Sequence, residues 1–208
     1  MPRPKDADSE KTYDRIVQAA RELVNEQDTP DALSLRQVST RAEVSLGTIQ
    51  YYFESKEGLL EACLDAYYER LQALGQTLAG LSATLEGRAM VEEAARQAYR
   101  FSRAEVAMMR LRRSTSARRG ELHPRRQAPF LGEVLQFGAQ MLAPHAQVEG
   151  HDLKLSIQTM AMVVSRMAGL SDDEVQHLVG HGDIEQGRRD IEEFVVRAAR
   201  RLVRPMDG

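Results

Sequence analysis

The chain has 208 residues, of which 42% are hydrophobic and 28% are charged, with a formal net charge of −3. That length allows one medium domain, or a small domain followed by a larger one. The apolar runs, such as 160–164, are far shorter than the roughly 18–20 residues that a membrane helix needs. The N-terminus is polar and lacks the apolar core of a secretion signal. We therefore expect a cytoplasmic protein with no membrane partner.

A single cysteine, Cys63, excludes an intrachain disulfide and a multi-cysteine zinc site. It stands among leucines, so we expect a buried thiol. Residues 1–60 hold eight Lys/Arg and eleven Asp/Glu, a balance of −3. Any DNA contact must therefore come from a local arrangement of donors, since bulk charge does not attract the phosphate backbone here.

Helical spacing of apolar residues runs through the chain, and no alternating strand pattern bounded by hairpin turns occurs. After a polar arm at 1–8, the spacing predicts a first helix over 9–25 and a loop at 28–31. Two short helices over 34–42 and 45–53 follow, joined by a turn at Glu43 and Val44. Ser55 caps a long fourth helix. Later helices are predicted over 86–102, 103–117, 125–143, 151–169, 172–179 and 184–204. The patterns at 34–37 and 171–174 predict capping boxes.

The two short helices predict a helix-turn-helix. Small Ala42 in the first of them lets the two helices cross closely. Their apolar residues can converge into one small core of Leu35, Val38, Ala42, Val44 and Ile49. Two short helices cannot bury enough surface alone, so the neighbouring helices must support them. In a helix-turn-helix the second helix enters the DNA major groove.

The outer face of the second short helix is uncharged. Its hydroxyls and its N-terminal N–H groups suit phosphate oxygens. Gln50 can pair with adenine, Leu46 can touch a thymine methyl, and Gly47 allows close backbone approach. The alternative is a purely structural three-helix cap, which would leave these exposed side chains without a purpose.

The run from Val44 to Leu60 resembles the signature of the tetracycline-repressor (TetR) family, and the resemblance covers roughly residues 10–60. It implies that Arg36 reads a base and that Leu46, Gly47 and Gln50 lie in or near the groove. It also implies phosphate contacts from Thr48, Tyr51, Tyr52 and Lys56. The predicted DNA-binding set is Ser34, Arg36, Ser45, Leu46, Gly47, Thr48, Gln50, Tyr51, Tyr52 and Lys56.

Two residues depart from the family pattern. Glu43 replaces the usual turn glycine; a left-handed conformation there costs about 1 kcal/mol, and its carboxylate is repelled by DNA. Gln50 stands where many members have tyrosine, which indicates a different operator specificity.

The resemblance implies an all-α dimer. We expect an N-terminal three-helix helix-turn-helix domain over 9–56 and a larger helical regulatory domain over 57–208. In the family the last two long helices form the dimer interface, here within 151–204. The expected partners are double-stranded operator DNA, a second copy of the chain and a small-molecule effector of unknown identity.

The effector pocket is expected among soft apolar and aromatic side chains, although most of these also suit an ordinary core. The ligand-binding candidates are Tyr67, Tyr99, Met108, Arg112, Phe130, Phe137 and Met160. Residues 103–126 hold eight arginines and two acids, a local charge of +6. This segment is either an anion site or a solvated surface.

Glu174, His177 and His181 have the spacing of metal ligands, but Gly180 interrupts the helix that would hold them together. We expect no metal, cofactor or catalytic residue. Two alternatives to a regulator stay open: an all-helical ligand- or protein-binding module that has lost DNA binding, and a small helical enzyme.

Overall fold

The computed structural model describes residues 7–27, 32–119, 127–180 and 182–206, with the backbone alone at 7, 116–119, 127–131 and 134. Its helices are α1 (Ala7–Glu26), α2 (Leu35–Arg41), α3 (Leu46–Phe53), α4 (Lys56–Leu81), α5 (Gly87–Ala104), α6 (Val106–Arg119), α7 (Gln127–Leu142), α8 (Gly150–Ala168), α9 (Asp172–Val179) and α10 (Ile184–Val203). Over the described ranges, the extended pairing is limited to an isolated bridge between Ala146 and Pro205. The predicted all-α class is confirmed.

Two compact units divide the chain. The first comprises Met1–Leu71 and Ala107–Glu121, and the second comprises Gln72–Val106 and Leu122–Gly208. Helix α4 therefore begins in the first unit and ends in the second. The functional division expected at residues 56 and 57 stays a prediction.

Two local predictions need correction. α1 begins at Ala7, so the last two residues of the expected polar arm are helical, while residues 1–6 lie outside the described ranges. The capping box at 34–37 is wrong, because the Ser34 side chain makes no capping hydrogen bond. The amide oxygen of Gln37 instead accepts a long hydrogen bond of 3.5 Å from Gln27. The predicted capping box at 171–174 is confirmed.

The first unit buries one face of α1 against α2, α3 and the start of α4. The residues with the least exposed surface in this core are Ile16, Ala20, Val38, Ala42, Ile49, Leu59 and Cys63. The predicted burial of Cys63 is confirmed, and its Sγ lies 3.8 Å from the carbonyl oxygen of Val17. Burial raises the pKa of this thiol to about 12, so the group is an inert part of the core.

In the second unit, α5 packs on α8 and α10. Ion pairs reinforce the α5–α10 contact: Glu192 accepts hydrogen bonds from Arg100 and lies 3.5 Å from Arg96. The buried His145 accepts a hydrogen bond of 3.2 Å from the backbone N–H of Gly87, at the start of α5. None of the described helices has the length and apolar character needed to cross a membrane.

Candidate nucleic-acid interface

The turn between α2 and α3 has the geometry that the sequence predicts. Glu43 has a φ of 53°, in the left-handed region. The N–H of Ala42 donates to the carbonyl of Val38 at 2.8 Å, and the N–H of Val44 donates to the carbonyl of Ser39 at 3.0 Å. These bonds close α2 and redirect the chain into α3 within four residues, so the second helix starts at a defined angle to the first.

Ser45 caps α3. Its Oγ accepts a hydrogen bond of 3.0 Å from the N–H of Thr48 and lies 2.8 Å from the Thr48 hydroxyl. Ile49 and Phe53 are buried and fasten α3 to the core. The backbone N–H groups of the first turn of α3 therefore sit on a helix whose position is set by both its cap and its inner face.

The outer face of α3 presents Leu46, Gly47, Gln50 and Tyr51 to solvent, and Tyr51 is 75% exposed. Arg36 is also exposed, on the neighbouring α2. Other members of the predicted set are half-buried at the edge of this face: Ser34, Thr48, Tyr52 and Lys56. The structure thus collects the predicted DNA-binding residues on two adjoining helices and the start of a third. Their contacts with DNA stay a prediction.

Tyr52 is held from behind by α1. Its phenol oxygen lies 2.7 Å from the hydroxyl of Ser9. Its ring packs edge-on against Tyr13, with 6.2 Å between the ring centroids, and against Tyr51 at 5.3 Å. Sequence reasoning missed both α1 residues because no local pattern links them to α3, which lies about 40 positions away.

The corner between α3 and α4 requires a glycine. A Cβ at Gly58 would lie 2.2 Å from the carbonyl oxygen of Phe53, much closer than atoms can approach. The N–H of Gly58 donates to the Oγ of Ser55 at 3.1 Å, which confirms the predicted cap. This close approach places Lys56 at the first turn of α4, directly after α3. Sequence reasoning did not single out Gly58.

Arg41, at the end of α2, is hydrogen-bonded to α1. Two of its nitrogens donate to the two carboxylate oxygens of Glu26, each at 2.9 Å. The hydrogen bonds from Arg41 lower the pKa of Glu26, and the pKa of Arg41 is raised in return. Arg41 therefore fixes α2 on α1, although it is exposed, as Arg36 on the same helix also is.

The ligand-binding candidates are divided between the two units. Tyr67 and Met108 are buried in the first unit, where Arg112 is half-buried, while Tyr99 and Met160 are buried in the second. Phe137 is exposed and lies 3.4 Å from the position a Cβ would take at Gly75. The side chain of Phe130 lies outside the described residues. A shared pocket for these residues stays a prediction.

The arginine-rich segment is also divided. Arg103 belongs to the second unit, while Arg110, Arg112 and Arg113 belong to the first. The side chains of Arg118 and Arg119, and all of 120–126, lie outside the described residues.

Of the three residues with metal-ligand spacing, Glu174, His177 and His181, Glu174 already has hydrogen-bond partners in the protein. It accepts from Arg166 at 2.5 Å and from the backbone N–H of Ser171 at 2.9 Å. His181 lies outside the described residues.

Comparison with known proteins bears on this site directly. A family model described as bacterial regulatory proteins, tetR family, matches residues 16–63. An uncharacterized HTH-type transcriptional regulator in the dhlA 5' region of Xanthobacter autotrophicus is 44% identical over 57 residues, which are 27% of this chain and 28% of that protein. The HTH-type transcriptional regulator BetI of Escherichia coli is 40% identical over 75 residues, which cover 32% of this chain and 38% of BetI. The similarity thus spans well under half of these relatives' length.

Solved structures resemble the whole fold at low sequence identity. A transcriptional regulator from Rhodococcus sp. Rha1 is 16% identical with a TM-score of 0.66, and covers 92% of this chain and 96% of its own. A TetR-family transcriptional regulator from Streptomyces coelicolor is 18% identical with a TM-score of 0.57, covering 92% and 99%. With the signature at 44–60 built into a supported helix-turn-helix, the N-terminal part of the chain, residues 16–63, matches the tetR family of bacterial regulatory proteins.

Proposed function

We propose that the chain is a ligand-responsive transcriptional regulator of the repressor type that binds palindromic operator DNA as a homodimer in the cytoplasm. The observation that carries this proposal is the uncharged outer face of α3. Leu46, Gly47, Gln50 and Tyr51 are exposed there on a helix that is capped by Ser45 and anchored by Ile49. Hydrogen-bonding and apolar groups on a rigid helix suit the edges of base pairs in the major groove.

The side chains that α2, α3 and the start of α4 contribute to the proposed DNA interface would have two different roles. Arg36 and Gln50 are proposed to contact base edges, because a guanidinium pairs with guanine and an amide with adenine. Tyr51 and Lys56 are proposed to contact phosphates, which orient the protein without reading sequence. The negative charge balance of the N-terminal region makes these few local contacts more important than they would be in a basic domain.

Dimerisation is proposed to use the two long helices of the second unit. Leu155 and Met162 are exposed on α8, seven residues apart and so on one helical face, and Phe194 is exposed on α10. Large apolar side chains that share a face and lack a cover within the chain are typical of an interface. A two-fold dimer would present two helix-turn-helix motifs to successive major grooves, so the operator should be a near-palindrome.

An effector is proposed to bind in the helical region that follows the helix-turn-helix, and to lower DNA affinity without touching α2 or α3. A hundredfold loss of operator affinity requires about 2.7 kcal/mol of differential binding, which one buried drug-sized ligand can supply. By linkage, the DNA complex must bind that effector a hundredfold more weakly than the free protein does.

The test is a fluorescence-anisotropy titration of the full chain on labelled duplexes from the DNA flanking its own gene. Lys56→Ala and Tyr51→Phe should weaken binding to every duplex, and Lys56→Ala should also flatten the dependence on salt. Arg36→Ala and Gln50→Ala should relax the preference at one base pair per half-site by about 1–3 kcal/mol. Arg189→Ala, an exposed cation on α10, is the matched control.

Two results would count against this function. If all four variants bind DNA like the unaltered chain, the DNA-binding residues are misassigned. If the unaltered chain binds no duplex above the level of random DNA, the alternative of a helical binding module without DNA affinity is favoured.

A further inference from the structure

Two arginines from different helices meet the carboxyl end of α8 in the second unit. The Nη1 of Arg103, on α5, donates to the carbonyl oxygen of Ala168 at 3.1 Å. The Nη2 of Arg188, on α10, donates to the carbonyl oxygen of Leu170 at 3.0 Å. Ala168 is the last residue of α8, and carbonyl groups at the end of a helix lack partners within the helix and carry partial negative charge, so Arg103 is well placed there. Leu170 lies two residues beyond this helix, in the link to α9.

Arg188 is buried more deeply than this contact with a backbone carbonyl explains. Only 9% of its surface is exposed, which is unusual for a charged residue. Its Nη2 also donates to Oδ1 of Asp172 at 2.7 Å. Yet its Nε and Nη1 are buried and have no hydrogen-bond partner among the residues that the structure describes. Buried N–H groups of a charged side chain are costly to leave without an acceptor.

Two guanidinium groups and two carboxylates lie close together around Arg188, but the guanidinium groups are the more deeply buried. The pKa of Arg103 is lowered, first by its burial and then by the positive charge of Arg188. Asp172 and Glu185 act in the opposite direction on Arg103, but both of these carboxylates are on the exposed surface. The Asp172 side chain, which pairs with Arg188, is 68% exposed. Solvent therefore weakens the compensation that the acids offer to the buried guanidinium.

The backbone of Arg188 is tied to α5 by a hydrogen bond. The hydroxyl of Tyr99, on α5, donates to the backbone carbonyl of Arg188 at 3.4 Å, and Tyr99 is itself buried. Burial also raises the pKa of Tyr99, so its hydroxyl stays protonated as a donor. The backbone at this point of α10 is thereby tied to α5, and Arg188 has little freedom to turn its open donors toward water.

We propose that the open donors of Arg188, with Arg103 as the second cation, form a binding site for a small oxyanion: a carboxylate or a phosphate group. Nη1 carries two N–H groups and Nε carries one, and an oxyanion offers several lone pairs in a small volume. Hydrogen bonds between guanidinium and such anions are short and strong. This site differs from the arginine-rich segment that the sequence singled out, of which it uses Arg103 alone. It is independent of DNA binding by the first unit.

The test is thermal unfolding of the full chain at pH 7 and constant ionic strength, with sodium chloride replaced stepwise by sodium phosphate or sodium acetate. A ligand that binds only the folded state raises Tm with its concentration. We expect a saturating rise with at least one of the two anions. A rise with phosphate alone assigns a phosphate group to the site, and a rise with acetate alone assigns a carboxylate.

Variants locate the effect. Arg188→Gln should abolish the saturating rise, and Arg103→Gln should weaken the apparent affinity at least tenfold. Arg189→Gln is the matched control, because Arg189 is the next residue on α10 and is exposed, with its side chain bonded to Gln186. It should keep the full response. An equal rise in all three variants would show a general salt effect and overturn the proposal.

A second measurement covers the case in which Arg188→Gln does not fold. The side-chain Nε–H signals of the unaltered chain are followed by NMR during the same titrations. The Arg188 signal should shift and saturate with the midpoint of the Tm curve, while the Arg189 signal should stay in place. An Arg188 signal that does not respond to either anion would rule the site out, whatever the variants do.

Discussion

The hydroxyl of Ser9 and the phenol oxygen of Tyr52 lie 2.7 Å apart and join the first turn of α1 to the last turn of α3. Tyr13 packs on the same Tyr52 ring. α1 therefore does more than cover the inner side of the helix-turn-helix. It fixes the orientation of a side chain that is proposed to meet the DNA backbone.

Ser9→Ala should lower operator affinity by about three- to tenfold, because one hydrogen bond of about 0.5–1.5 kcal/mol no longer holds Tyr52 in its binding conformation. Tyr52→Phe should lower the affinity at least as much, and adding Ser9→Ala to it should change nothing further. Anisotropy titrations of the double-mutant cycle measure this coupling. Thr12→Ala is the control, since its hydroxyl bonds to the Asp8 carbonyl of its own helix. Additive losses would refute the coupling.

Glu43→Gly should stabilise the first unit. Glu43 has a φ of 53°, where a residue with a Cβ is strained by about 1–2 kcal/mol. Glycine removes this strain but has more freedom in the unfolded chain, which offsets about 0.4–1 kcal/mol. A net rise of roughly 0.5–1 kcal/mol in the free energy of unfolding is expected from urea titration. Operator affinity should rise too, since a carboxylate beside the DNA-binding face is removed.

Glu57→Gly is the matched control for this change. Glu57 is an exposed glutamate in the first turn of α4 and has ordinary helical geometry. Glycine there costs about 1 kcal/mol of helix stability and also removes a favourable charge from the helix N-terminus. Destabilisation by both substitutions would show that Glu43 is not strained.

Patterns confined to neighbouring residues predicted much of this fold. The apolar spacing located the helices to within a few residues, and the sequence from Ser171 to Glu174 identified a capping box that is present. The same kind of pattern failed at Ser34, whose hydroxyl makes no capping hydrogen bond although its backbone is extended like that of Ser171. A cap pattern therefore states which hydrogen bonds are possible and does not determine which of them form.

Features built from distant parts of the chain could not be predicted in this way. The Ser9–Tyr52 contact links positions 43 apart. The unpaired donors of Arg188 become visible only when α5, α8 and α10 are placed together. The need for glycine at residue 58 arises from the path of the Phe53 carbonyl around the corner. These features depend on packing, on which periodicity and composition carry no direct information.

Acid should destabilise the second unit in part through Glu174. Its pKa is lowered to about 2 from an ordinary value of 4.5, mainly by the hydrogen bond from Arg166 and then by the N–H of Ser171. A carboxylate with a lowered pKa stabilises the fold above its ordinary pKa, and this contribution is lost as pH falls toward 2. Glu174→Gln should therefore make the fall in the urea midpoint between pH 4.5 and 2 shallower.

The expected change is small and should shrink further in high salt, because the pair with Arg166 is at the surface. Asp173→Asn is the control, since Asp173 is an exposed acid in the same first turn of α9. A pH profile of Glu174→Gln that matches the unaltered chain in low salt would show that this ion pair contributes nothing to acid stability.

Met162→Glu should dissociate the proposed dimer. Met162 is 65% exposed in the chain by itself, and Leu155 lies on the same face of α8. Across a two-fold axis, residues near the centre of the interface meet their own copies, so one substitution places two carboxylates close together in an apolar surrounding. Sedimentation velocity should show at least a tenfold weaker association, about 1.4 kcal/mol, and operator affinity should fall because each monomer then contacts one half-site. Leu178→Glu, at an equally exposed leucine on α9, should leave the association unchanged. A variant Met162→Glu that remains dimeric would exclude this face of α8 from the interface.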